Sequence, residues 1–263
     1  MSNVVSLDNL FHRSRARIKD LGEVFTPESY VEDMLVLLNK DKRGMWADED
    51  TSFFEPSCGH GNIALPIYKK RIEAIYKKAA SSRTREPAYY AVANAINTLW
   101  AIDVDTKNIN QCRNRILVAT FEFLKEKLNL ASEYSILSDR QEFVAHLLCA
   151  INWHIDENET LSALSDIDEA QFKARQTKSG AKWFSQNGHR PIDFELTWIN
   201  YFQNCKSEKS VPLDYERAIR FVKNITSGNS KGYNDFEFAK CLFAIEKPIT
   251  KALKRSRDLG LGA

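Results

Sequence analysis

Eight consecutive residues, Glu55-Pro56-Ser57-Cys58-Gly59-His60-Gly61-Asn62, have the types and spacing from which a binding site can be built. Two glycines one residue apart let a turn adopt φ > 0 and let its backbone pass close to a bound molecule. Phe53-Phe54 before them reads as the end of a buried strand. From Ile63 onward the chain reads as a helix whose free N–H groups and positive dipole end face the turn. Pro66 fits the first turn of that helix, where its missing N–H is not needed. A second apolar run, Leu99-Trp100-Ala101-Ile102, closes on Asp103. An acidic side chain at the end of the next strand is placed to accept hydrogen bonds from ribose hydroxyls. The third glycine of Gly-x-Gly-x-x-Gly is missing, which argues against a nicotinamide dinucleotide. Taken alone, the glycine pair is weak evidence, since a bare strand-to-helix turn is commoner than a cofactor site.

Elements on either side position this turn. Upstream, in Gly22-Glu23-Val24-Phe25-Thr26-Pro27, Thr26 reads as a helix N-cap and Pro27 as the first helical residue, with Glu28 a first-turn acid. Val31, Met34, Leu35 and Leu38 follow as one apolar face at helical spacing. After Asp105, the positions Ile109, Cys112, Ile116, Ala119 and Phe123 mark a long helix that packs beside a sheet. Between the two strands there is more chain than one helix needs. A basic loop, Ser81 to Arg85, leads to Pro87 and an extra helix through Asn97.

The three segments, in this order, resemble the S-adenosylmethionine site of adenine-specific DNA methyltransferases, with the γ-type order of motifs. The resemblance covers about residues 20–125 and implies a class I methyltransferase fold. That fold is α/β and Rossmann-like, with a doubly wound, mostly parallel sheet, here followed by a helical C-terminal part. It implies that Phe25, Thr26 and Pro27 line the methionine end of the cofactor and that Glu55 orients it. Pro56, Cys58, Gly59, Gly61 and Asn62 would form the turn around it, and Asp103 would hold the ribose.

The family's Asn/Asp-Pro-Pro-Tyr/Phe tetrapeptide appears nowhere in the 263 residues. Methylating an adenine amino group needs acceptors for both amino hydrogens and an aromatic ring stacked on the base, because the amine lone pair is delocalised into the ring. Asn152-Trp153-His154 offers an amide, an aromatic and a titratable ring, with Asn152 and Trp153 the first candidates for catalysis. Asp193-Phe194 and Asn200-Tyr201 each put an acceptor beside an aromatic. A surface turn, or a half-buried strand or helix face, accounts for all three as well.

Composition narrows the class. Lys and Arg number 37 against 35 Asp and Glu, for a formal net charge of +2, so charge alone does not announce a nucleic-acid binder. No long apolar run or signal-peptide pattern occurs, so a cytoplasmic protein without membrane contact is expected. Five scattered cysteines suit a reducing compartment, and the Cys58/His60 pair has no second pair to complete a metal site. Cationic side chains cluster at both ends of the sequence. Arg13, Arg15 and Arg17 lie in a basic segment within residues 1–20, and Lys251, Lys254 and Arg255 crowd the last helix. Either cluster suits DNA phosphates, or a solvated helix face. Trp183 and Phe184 beside Lys182 are candidates for stacking on bases.

Beyond about residue 128 the pattern weakens. Phe143 to Ile155 suits a third strand or a helix-to-strand passage, 156–190 reads as a polar loop, and Pro191–Trp198 alternates as a strand would. From Asp214 the chain reads as helical. The expected organisation is a cofactor-binding domain over 1–204 and a helical extension over 205–263 packed on it. The expected function is adenine methylation of DNA in a modification, restriction or phage anti-restriction system. The alternative is a catalytically silent, cofactor-binding subunit serving DNA or a partner methyltransferase, specificity or nuclease subunit.

Overall fold

A computed structural model of the chain describes residues 26–42, 44–164, 178–229 and 234–247. Helix α1 (Glu28–Asp41) leads to strand β1 (Phe53–Glu55), and helices α2 (Ala64–Ser81) and α3 (Pro87–Asn97) lead to β2 (Leu99–Asp103). Next come α4 (Thr106–Lys127), a short α5 (Tyr134–Asp139), α6 (Gln141–His154) and β3 (Ile155–Glu157). Short helices α7 (Thr160–Leu164) and α8 (Lys178–Asn187) precede α9 (Trp198–Ser207), α10 (Leu213–Ser227) and a 3-10 helix, Glu237–Ala244.

The three strands are parallel and lie in chain order, β1-β2-β3, with Phe53 opposite Leu99 and Ala101 opposite Ile155. That order corrects the expected doubly wound sheet. Crossovers between parallel strands are right-handed, so a sheet that grows in one direction only carries its crossover helices on one face. A doubly wound sheet needs the strand order to reverse, which brings helices to the second face and opens a ligand crevice at the switch point. Among the described residues no reversal occurs, and the molecule is mostly helical around a small sheet.

Alternation along the strands sorts the side chains. Leu99, Ala101 and Ile155 point into the helical core with Ile72, Ile96, Ile116 and Leu148. Phe54, Trp100 and Asp156 take the other face, where Phe194 packs edge-on against Phe54 (5.1 Å) and Trp100 (5.4 Å). Residues 191–197 are therefore not the strand their alternation suggested. They cover the sheet as a loop, and Thr197 then caps α9 by accepting the Asn200 N–H at 3.3 Å. The stretch 156–190, read as loop, contains β3 and two short helices among its described residues.

Other local expectations fare better. Asp105 caps α4 by accepting the N–H groups of Lys107 and Asn108, and all five marker positions of that helix are buried. Helix α6 running straight into β3 is the helix-to-strand passage. Helix α1 starts one residue later than read, with Pro27 rather than Thr26 in the capping position. Of its apolar face only Val31 and Leu35 are buried, while Met34 and Leu38 are exposed. The boundary expected after residue 204 falls inside α9, and Phe221 and Val222 of α10 belong to the same core as α6.

Candidate functional site at the carboxyl edge of the sheet

Three of the segments singled out in the sequence meet at one edge. β1 and β2 end there on Glu55 and Asp103, and the chain leaves β1 through the turn 56–63 into α2. The Cys58 N–H donates to Ile102 O at 2.8 Å, continuing the ladder one step past the strand. The Gly59 N–H donates to Asp103 Oδ2 at 2.9 Å, while Asp103 Oδ1 accepts the Asp105 N–H at 2.8 Å and the Asn108 amide at 3.5 Å. Asp103 thus ties the glycine turn to the start of α4. One oxygen, Oδ2, takes a single bond and keeps a lone pair. Burial raises the Asp103 pKa, and the two backbone N–H bonds pull it back down.

The two glycines do different work. Gly59 has φ +54° and open space where a Cβ would project, so the backbone here is bare. Gly61 has φ +91°, and a Cβ there would lie 2.8 Å from Cys112 Sγ on α4. The second glycine therefore permits close helix packing rather than ligand approach. We expect Gly61→Ala to cost about 2 kcal/mol in urea unfolding, more than Gly59→Ala, from strained φ and a clash together. Adding Cys112→Ala should restore part of the Gly61→Ala loss. Strictly additive losses in the double variant would rule out the contact as the cause.

Cys58 is buried beneath the turn, and its thiol pKa is pushed far up by the neighbouring Cys112 thiol and by burial. It packs the turn from below and is not a reactive thiolate. Asn62 spends both of its amide groups, donating to Thr26 O at 3.4 Å and accepting from Arg115 Nη1 at 3.1 Å. The same Arg115 nitrogen donates to His60 O at 2.9 Å. Thr26 is thus at the turn, and Pro27 beside it is exposed. Pro56 O accepts the Thr160 hydroxyl at 2.7 Å, which lays the chain after β3 against the turn. Glu55 is half-buried. Burial raises its pKa, its hydrogen-bond partner is the Ser57 N–H at 3.4 Å, and no cation among the described residues pairs with it.

Arg115, Asn108 and Thr160 were not anticipated. A weak signal existed for two of them. Asn108 lies three residues past the cap Asp105, and Arg115 interrupts the apolar stripe between Cys112 and Ile116. Thr160 had none, because its contact with Pro56 spans 104 residues.

Asn152 and Trp153 are not part of this assembly. They end α6 just before β3 begins, and because the strands are parallel this puts them at the opposite, amino edge of the sheet. There they line a cleft of about 370 Å³ with Trp100, Asp156, Arg190 and Asp193. The Trp153 indole N–H donates to Leu196 O at 2.9 Å, and its ring stacks on Tyr201 at 4.8 Å. The Asn152 carbonyl accepts from Arg113, and its side chain is exposed. Trp183 is buried under Arg190 and cannot stack on a base. Phe25, Arg13, Arg15, Arg17, Lys251, Lys254 and Arg255 lie outside the described residues. Among the described residues no cluster of His, Cys, Asp and Glu suits a metal ion, and no helix is long and apolar enough to cross a membrane.

No protein-family model, no curated protein and no solved structure matches the chain, so the methyltransferase resemblance stands on its motifs alone.

Proposed function

We propose that the chain binds S-adenosylmethionine at the carboxyl edge of β1 and β2 and serves adenine methylation of DNA as the cofactor-holding subunit, not as the complete enzyme. The observation that carries the binding half is the half-buried Glu55 carboxylate without a cationic partner, beside the bare backbone of Gly59 and the spare lone pair of Asp103 Oδ2. An ammonium group such as that of the methionine moiety would answer the Glu55 charge, and ribose hydroxyls would donate to Asp103. Gly59 leaves room for the backbone to be approached. The bound cofactor would supply an electrophilic methyl group. The chain's own residues would bind and orient it.

The silent-subunit form of the reading is favoured by the position of Asn152 and Trp153. Trp153 is spent in folding, its N–H on Leu196 O and its ring on Tyr201, and both residues sit at the other edge of the sheet. The acceptor and the stacking aromatic would then come from a partner.

Calorimetry with S-adenosylmethionine and S-adenosylhomocysteine tests the binding half. Micromolar affinity is expected, weakened about tenfold or more by Glu55→Gln and by Asp103→Asn, each of which removes a charged acceptor. Absence of heat and of thermal shift with either ligand on folded protein would end the reading. Transfer of labelled methyl groups to adenine-containing DNA then separates its two forms. Transfer only in the presence of a second subunit fits the proposal, and unassisted transfer makes the chain an enzyme.

A further inference from the structure

A second cavity, of about 360 Å³, opens between α3, α6 and α9. Its size lies at the lower end of the range of small-molecule sites, about 300–1,000 Å³. Ile96, Phe143, Leu147, Trp198 and Phe202 make its walls, contributed by all three helices. Phe143 and Phe202 are only half-buried and Ile199 is 38% exposed, so apolar surface faces solvent in the free chain. This patch lies on the helical layer and has no part in the carboxyl-edge site.

Polar groups in the slot are few. Asn97 is committed to the fold, since its amide nitrogen donates to Ala93 O and its oxygen accepts the Ile199 N–H. His146 Nδ1 accepts the Trp198 indole N–H at 3.3 Å, so the neutral ring carries its proton on Nε2 and offers a donor. Gln203 and Lys206 follow one turn apart on α9. Lys206 is the one charged side chain in the lining. Its ammonium lies 6.0 Å from the Phe202 ring centroid and pairs with no carboxylate among the described residues. Glu142, one turn before His146 on α6, is exposed and does not line the slot.

We propose that this slot binds a small apolar carboxylate, with an aryl or alkyl body between the aromatic walls and its carboxylate at Lys206. The walls favour burial of an apolar body, and the cation with its neighbouring donors selects an anionic end. A cationic ligand would meet Lys206 with no acid in the lining to offset it. A neutral ligand of the same shape would gain the burial alone.

The test is titration calorimetry on the full chain with three probes: 4-phenylbutyrate, octanoate, and the neutral 4-phenylbutanol. At least one acid should bind saturably at one-to-one stoichiometry, and 4-phenylbutanol should bind about tenfold or more weaker than 4-phenylbutyrate if the aryl acid is the ligand. Lys206→Gln, a surface change that the fold should tolerate, should bring the acid down to the level of the alcohol and leave the alcohol unaffected. Ala93→Trp should fill the slot and abolish binding of all three. Whichever acid binds more tightly identifies the body as aryl or alkyl. Failure of both acids to bind, a 4-phenylbutanol as tight as a 4-phenylbutyrate that binds, or no effect of Lys206→Gln on whichever acid binds would each overturn the assignment. Because Lys206→Gln is read against the alcohol within the same variant, a general loss of structure cannot mimic the expected result.

Discussion

Arg71→Met should cost about 3–5 kcal/mol of folding stability. Arg71 sits on α2 and is fully buried. One of its terminal nitrogens donates to Met45 O at 2.8 Å, Trp46 O at 3.3 Å and Asp48 O at 2.6 Å, and the other donates to Thr98 Oγ1 at 2.7 Å. Its guanidinium also lies 5.1 Å from the Phe53 ring centroid. One side chain therefore fastens the turn that feeds β1 to the residue that precedes β2. Burial lowers its pKa to about 10, which still leaves it charged at neutral pH. Methionine fills a similar volume but leaves the Trp46 and Asp48 carbonyls without a donor among the described residues and Met45 O with the Asp48 N–H at 3.3 Å alone. Each buried acceptor left unpaired costs about 1–3 kcal/mol. Lysine at this position should recover only part of the loss, because a point charge cannot replace the guanidinium fork. Urea unfolding decides the matter, and a cost below about 1 kcal/mol for Arg71→Met would mean that water replaces the fork without penalty.

Acidification should destabilise the fold through His154. This residue ends α6 with no exposed surface, its Nε2 accepts the Trp198 N–H at 3.2 Å, and its ring lies 4.3 Å from Trp100. Burial lowers its pKa from 6.5 to about 3. The folded state thus holds it neutral while the unfolded chain takes up a proton, so between these values the unfolded state binds more protons. The contribution is fully present above about pH 6.5 and is lost as the pH falls, by about 1.4 kcal/mol per unit. From about pH 7.5 to about pH 4.5 that amounts to about 2–3 kcal/mol. Glu55, Asp103 and Asp156 act in the opposite sense, because burial raises their pKa values and protonation favours the folded form. His146, also lowered by burial, adds to the loss. The informative comparison is therefore with His154→Gln, which keeps an acceptor near the Trp198 N–H and cannot titrate. The variant should lose about 2–3 kcal/mol less than the parent over the same range. Equal losses would place the acid-sensitive group elsewhere.

Much of the local architecture was legible from residue types alone. Asp105 announces the start of α4, Pro87 that of α3, and the three- and four-residue spacing from Ile109 to Phe123 specifies which side of α4 is buried. These features depend on neighbours within a turn or two, where propensity, capping and periodicity act directly. The Pro191–Trp198 stretch misled because alternation also suits a loop laid across a sheet face. Phe194 reaches Phe54 and Trp100 without any ladder of backbone bonds.

By itself, then, the sequence determined the glycine turn, the acid at the end of β2, and the helices that flank them. Only the tertiary structure decided how the strands are ordered and what those residues touch. The direction in which a parallel sheet grows is a long-range choice, and here the strands lie in chain order with no reversal among the described residues. The Asp103 bond to Gly59 spans 44 residues, that of Arg115 to His60 spans 55, and the Cys112 thiol closes on Gly61 from α4. Whether a carboxylate awaits a ligand or already holds a backbone N–H depends on partners that only packing brings within hydrogen-bond reach.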